Sequence, residues 1–180
     1  MAGDVGMACE SFVKMLISAS PPWLHLVICQ YQTITEWFAY QFRDQGTFPQ
    51  FVIHTLQGRR CSTKQSCLRE FAKVLEFPPY FGHNWDALDE CLADLADWLP
   101  AKGYILVFLN SDQLLADSEE DFRTLIKVLQ TAAEEWASRQ PPVPFHTILH
   151  CPLGAKDRML ARMRATGVSF SFWDWTDESL

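Results

Sequence analysis

The chain has 180 residues, with hydrophobic residues at 48%, charged residues at 21% and a formal net charge of −7. That length suits one well-buried domain, and the composition is that of a globular rather than a disordered protein. The acidic balance argues against direct nucleic-acid binding, which needs a basic surface, and suits a basic protein partner instead.

Six cysteines, at 9, 29, 61, 67, 91 and 151, form no CxxC pair and do not group with histidines at zinc spacing. No metal, cofactor or disulfide framework is therefore expected. The first residues, Met1-Ala2-Gly3-Asp4, lack a basic segment, and Lys14 interrupts the apolar stretch from Phe12 to Ala19. A signal peptide is not expected, no run approaches a membrane span, and the cytoplasm is the expected compartment.

In chain order, residues 10–19 read as a short amphipathic helix ended by Ser20-Pro21-Pro22, and Trp23 to Cys29 as a strand. Thr33 to Arg43 reads as a helix with Trp37, Phe38 and Phe42 on one side, broken by Gly46 and Pro49. Phe51 to Leu56 is a strand turning at Gly58. Ser62 is the expected cap of a helix carrying Cys67, Leu68, Phe71, Val74 and Leu75 on one face. Pro78 and Pro79 stop that helix. Asn84 caps the next one, expected to run to about Trp98.

Tyr104 to Leu109 is a continuous apolar run, as in a parallel strand covered on both faces. Ser118-Glu119-Glu120-Asp121 resembles a capping box that opens a helix with Phe122, Leu125, Ile126, Leu129, Ala133 and Trp136 on one stripe. Phe145 to His150 is a strand, Lys156 to Ala165 a helix, and the FSFWDW segment after Gly167 a further strand. Alternating strands and helices imply an α/β fold with a small, mainly parallel sheet flanked by helices. The WLHLVIC and FSFWDW segments are expected to extend that sheet.

The informative stretch is PPYFGHNWDALDECLADLADW, residues 78–98. At about 100° per residue, Leu88, Cys91, Leu92, Leu95, Trp98 and Leu99 share the buried sector. Asp86, Asp89, Glu90, Asp94 and Asp97 gather opposite, with no Lys or Arg among them. A first-turn Asp86 suits the helix dipole, but Asp94 and Asp97 oppose it, and like charges at 86 and 90 repel. Such uncompensated repulsion points to a cationic surface outside the monomer.

The run Tyr80-Phe81-Gly82-His83-Asn84-Trp85-Asp86-Ala87-Leu88, continuing to Glu90-Cys91-Leu92, resembles the signature of the barstar family of ribonuclease inhibitors. A looser likeness extends from Phe51 to Cys151. The resemblance implies a barstar-like core over 49–151, with 1–48 as an N-terminal and 152–180 as a C-terminal helix–strand extension packed on it. It also implies a non-enzymatic inhibitor, such as a toxin immunity protein, whose acidic helix and preceding loop occlude the cationic active site of a basic ribonuclease or ribonuclease-like toxin. The free chain would be a monomer.

On that resemblance Tyr80 matches the loop tyrosine that packs on the enzyme and Asp86 the first interface aspartate. Glu90 stands where the family's most important aspartate stands. Asp89 replaces an interface aromatic, and the acidic residue of the later helix has Glu134 or Glu135 as candidates. The partner-binding set is then Tyr80, Phe81, Gly82, His83, Asn84, Asp86, Asp89, Glu90 and Asp94. Two other readings stand beside it: an adaptor of the same fold for a different basic protein, and a small hydrolase using His83, Asn84, Asp86 and His54 or Glu90. No GxSxG or phosphate-loop motif supports the hydrolase.

Overall fold

The computed structural model describes residues 3–41 and 46–176, and the side chains among them from residue 10 onward. The elements in order are α1 (Gly3–Leu16), β1 (Leu24–Ile28), α2 (Tyr31–Ala39), β2 (Phe51–Gln57), α3 (Lys64–Val74), α4 (Trp85–Ala93), β3 (Gly103–Leu109), α5 (Glu119–Ser138), β4 (Phe145–Cys151), α6 (Lys156–Ala165) and β5 (Ser171–Asp174). The five strands form one all-parallel sheet in the order β2-β3-β4-β1-β5.

Both faces of the sheet are covered, which explains the unbroken apolar runs. Along β3, Tyr104, Leu106 and Phe108 enter one core, while Ile105, Val107 and Leu109 enter the other. The first core is roofed by α3, α4, α5 and α6 through Phe71, Leu88, Leu92, Phe122, Leu129, Trp136 and Met159. The second is roofed by α1 and α2 through Phe12, Leu16, Ile34 and Trp37, with Phe48 and Trp175. The architecture is thus three layers, with α1 and α2 on one side and four helices on the other. As expected, β1 and β5 extend the sheet, and they do so on its β4 side, since β1 pairs with both β4 and β5.

Two glycines mark close backbone approaches. A Cβ on Gly58 would lie 2.1 Å from the Asn110 carbonyl oxygen, and one on Gly103 would lie 2.2 Å from the Phe51 ring.

Several local expectations change. The cap of α3 is Thr63, not Ser62: the Thr63 hydroxyl accepts from the Ser66 N–H, and the Ser66 hydroxyl accepts from the Thr63 N–H in return. Ser118 does cap α5, accepting from the Asp121 N–H at 3.1 Å, but the Asp121 carboxylate accepts from the Trp85 indole instead of closing a box. The helix expected to reach Trp98 ends at Ala93, and Leu95–Asp97 forms a separate 3₁₀ turn. The expected positions of Phe42 and Arg43 lie outside the described residues. The five cysteines with described side chains are all buried free thiols, and no helix among the described residues is long and apolar enough to cross a membrane.

Candidate protein-binding surface on α4

α4 starts because Asn84 turns its side chain back on the first turn. The Asn84 Oδ1 accepts from the Ala87 N–H at 2.8 Å, and its Nδ2 donates to the Gly82 carbonyl at 3.4 Å. His83 immediately before it holds φ at +50°, a left-handed conformation that is uncommon outside Gly and Asn.

A nine-residue helix is marginal on its own, so tertiary contacts must hold it. At its N-terminus the Trp85 indole donates to Asp121 of α5 at 3.1 Å, and Lys64 of α3 lies 5.3 Å from the ring centroid. At its C-terminus two carbonyls of the last turn are taken by side chains of α5 and its C-cap. The Trp136 indole donates to Leu92 O at 2.8 Å, and the Arg139 guanidinium donates to Ala93 O while stacking 3.5 Å over the Trp136 ring. The cationic Arg139 also offsets the negative end of a helix that carries Glu90 in its last turn and Asp94 at its C-cap. α4 is therefore a clamped ridge, pre-organised to present its outer face.

Of the expected acids, Asp86, Asp89 and Glu90 lie on α4, Asp94 is its C-cap and Asp97 falls in the 3₁₀ turn beyond it. Asp86, Glu90, Asp94 and Asp97 are exposed and Asp89 is half-buried. None of them makes an ion pair among the described residues, where the four ion pairs use Glu70, Asp174, Asp112 and Glu119. Burial, then the charges of Glu135, Asp86 and Glu90, push the Asp89 carboxyl above its usual range. Glu135 of α5 thus joins the acidic field, whereas Glu134 accepts from Gln130 at 2.7 Å along its own helix. The choice between these neighbours needed the α4–α5 packing.

In the preceding loop, Tyr80 is the most exposed large hydrophobic side chain among the described residues, at 80%. Gly82 and His83 are exposed beside it. Phe81 differs from the expectation of a contact residue. It is only 6% exposed and its ring meets Phe77 at 4.9 Å and His83 at 4.7 Å, so it anchors the loop from within. His54, considered for acid–base chemistry, is half-buried on β2, with its imidazole pushed down by burial and partly restored by Glu76.

Two clefts, of about 300 and about 530 Å³, lie away from α4. One is lined by Asp112, Gln113, Ala116, Glu119, Arg158 and Arg162, the other by residues 50–52 and 100–102. Neither cleft is lined by a residue of α4, whose outer face stands exposed.

Among solved structures, the chain resembles the Aeropyrum pernix ORC2 protein in its ADPNP–ADP complexes (TM-score 0.64, 12% identity, 93% of this chain and 47% of that one). It also resembles Drosophila ORC bound to AT-rich DNA and Cdc6 (TM-score 0.59, 11% identity, 98% and 56%) and Cdc6p from Pyrobaculum aerophilum (TM-score 0.58, 14% identity, 96% and 46%). At such identities the likeness shows the fold alone, and the chain spans about half the length of those structures. The segment after β1 here, Cys29-Gln30-Tyr31-Gln32-Thr33, has neither the glycines nor the lysine of a phosphate loop. No curated protein matches the chain. The Barstar (barnase inhibitor) family model matches residues 51–150, from the start of β2 to the last but one residue of β4, and the chain belongs to that family.

Proposed function

We propose that this protein inhibits a ribonuclease by seating the α4 ridge and the Tyr80–Asn84 loop in the enzyme's cationic active site. The observation that carries the reading is the set of unpaired carboxylates Asp86, Asp89 and Glu90 on a helix clamped at both ends, with Asp94 at its C-cap and Glu135 of α5 beside them. Ribonuclease active sites are concave and cationic because they hold phosphates. Fixed carboxylates form charge-assisted, often bidentate, bonds to arginines there. Tyr80 supplies a rigid aromatic of the kind that anchors interfaces.

Residues 49–151 form the inhibitory core in this reading. The flanking segments 1–48 and 152–180 add the α1, α2 and β1 and the α6 and β5 elements to it. Such a protein acts in the cytoplasm as an immunity factor, without metal or cofactor. A different basic protein as partner is the second reading. It is favoured by Asp89, a half-buried acid that the resemblance places where an interface aromatic belongs.

The test is titration into barnase and other small basic ribonucleases, following RNA cleavage at low and at high salt. Stoichiometric inhibition with an association rate that falls as salt rises supports the reading, since exposed charges are screened beyond about 8 Å at physiological ionic strength. Binding to a basic non-nuclease with no effect on any ribonuclease supports the second reading and overturns the first.

A further inference from the structure

His25 on β1 and His146 on β4 are fully buried, both at 0% exposure, on the sheet face beneath α1. Their rings stack with centroids 5.0 Å apart, and His25 Nε2 lies 2.8 Å from His146 Nδ1. The outer nitrogens reach two other elements. His146 Nε2 lies 2.7 Å from the Ser18 carbonyl oxygen, just past the end of α1, and His25 Nδ1 lies 2.7 Å from Ser171 Oγ on β5. The Trp173 indole donates to the same Ser171 oxygen at 2.7 Å.

The proton positions follow from the donors and acceptors available. A carbonyl can only accept, so His146 carries its proton on Nε2 and accepts at Nδ1. His25 must then donate from Nε2 and accept at Nδ1, and the Ser171 hydroxyl supplies that bond. Every donor points one way, from β5 through β1 and β4 to the end of α1, and both rings are neutral. A second proton on His146 would set N–H against N–H across 2.8 Å. A second proton on His25 would leave the Ser171 hydroxyl proton without its acceptor.

Only the Ser18 and Trp23 carbonyls favour a charged His146, and no carboxylate among the described residues faces the pair. α1 gives the pair Phe12, edge-on to His25 at 5.4 Å, and turns Glu10 and Lys14 to solvent. α2 has its acid, Glu36, exposed and bonded to Gln32. On β5, Asp174 is taken by Lys156. On β3 the neighbour is Ile105, and farther along β4 His150 is committed to the Asn110 N–H and the Cys29 carbonyl.

We propose that the His25–His146 relay is an acid-released latch, and that proton uptake by the pair undocks α1 and β5 while the β2–β3–β4 sheet with α3, α4 and α5 stays folded. The latch is independent of the inhibitor reading, because its groups lie on the opposite face of the sheet from α4. Burial, then the neighbouring His146, holds the His25 imidazole well below its usual range. Burial likewise takes His146 down to about 4, with the Ser18 and Trp23 carbonyls opposing it.

An imidazole lowered on docking contributes fully above the ordinary pKa of 6.5, and its contribution falls as pH drops from there toward 4. At tenfold per pH unit, His146 alone weakens docking by about 300-fold over that window. Undocking would also open the ring cluster of Phe12, Trp37, Trp173 and Trp175, whose centroids lie 4.9–5.5 Å apart.

The test combines histidine-ring ¹⁵N NMR with hydrogen exchange on the full chain between pH 7 and pH 4. The expected result at pH 7 is two neutral rings, both protonated at Nε2. On acidification, exchange should rise in Gly3–Leu16 and Ser171–Asp174 in step with protonation of the pair, while Gly103–Leu109 and Glu119–Ser138 stay protected. Ser171→Ala keeps both rings and frees His25 Nδ1, so it should move the transition to higher pH. A cationic or Nδ1-protonated ring at pH 7 overturns the latch. So does protection lost evenly across the chain, or α1 and β5 remaining protected after both rings are protonated.

Discussion

Trp136→Phe tests whether α4 is held in place by α5. The substitution keeps an aromatic in the core but removes the indole N–H that satisfies Leu92 O at 2.8 Å. Trp136 is only 2% exposed, so water cannot replace the donor without entering the core. Leaving a buried carbonyl unsatisfied costs about 1–3 kcal/mol. The shrunken ring also loses part of its contact with the Arg139 guanidinium, 3.5 Å above it, worth about 0.5–1 kcal/mol. The sum is roughly 2–4 kcal/mol of stability, or a fall in Tm of roughly 5–15 °C for a chain of this size. Urea and thermal denaturation measure it, and partner affinity should weaken as well because the ridge loosens. A change under about 0.5 kcal/mol would show that the clamp carries no weight and that α4 is held by apolar packing alone.

Asn84→Ala removes the cap bond to Ala87 and should cost about 1 kcal/mol by denaturation, with Asn84→Asp close to neutral. Gly58→Ala forces a Cβ to within 2.1 Å of a backbone oxygen, so strands β2 and β3 must separate locally. The expected loss is about 3 kcal/mol or more, and a soluble variant with unchanged Tm would contradict the packing there. Asp89→Asn should raise stability at pH 7 by a few tenths of a kcal/mol through relief of like-charge repulsion. A carboxyl raised on folding is penalised only when ionised. The gain is therefore full above the Asp89 range and disappears as pH falls below the ordinary value of 3.8, which stability measurements from pH 7 to pH 3 would detect.

The strands were the most legible part of the chain. β3 and β4 announce themselves as apolar runs because both sheet faces are covered, and the helix read at about Lys156 to Ala165 is there. The end of α4 was not legible. The apolar period continues through Leu92, Leu95 and Leu99, while the helix stops at Ala93, where its last carbonyls turn to Trp136 and Arg139 more than forty residues away. Asp121 likewise reads as the return half of a capping box, but a distant indole claims it. Where two hydroxyls stand side by side at 62 and 63, the choice of cap rests on which one Ser66 reciprocates.

At the candidate site, the Asp86, Asp89 and Glu90 face followed from helical spacing and the Asn84 cap from its residue type, while Asp94 and Asp97 lie beyond the end of the helix. The inward turn of Phe81 and the pairing of Asp89 with Glu135 required the packing of α4 on α5. The His25–His146 relay had no sequence signal, because its members are 121 residues apart and become neighbours only through the β1–β4 pairing.

If the acidic ridge of α4 is a binding surface, Glu90→Ala separates binding from folding when stability and partner affinity are measured on the same preparation. Glu90 is exposed and has no ion pair among the described residues, so the variant should melt at or slightly above the parent temperature. Affinity for the ribonuclease should fall by roughly 30-fold or more, the consequence of losing about 2–5 kcal/mol when one partner of a desolvated charge pair is truncated. Unchanged affinity with unchanged stability would mean that the carboxylates of α4 are only a solvated face, and the inhibitor reading of that helix would fail.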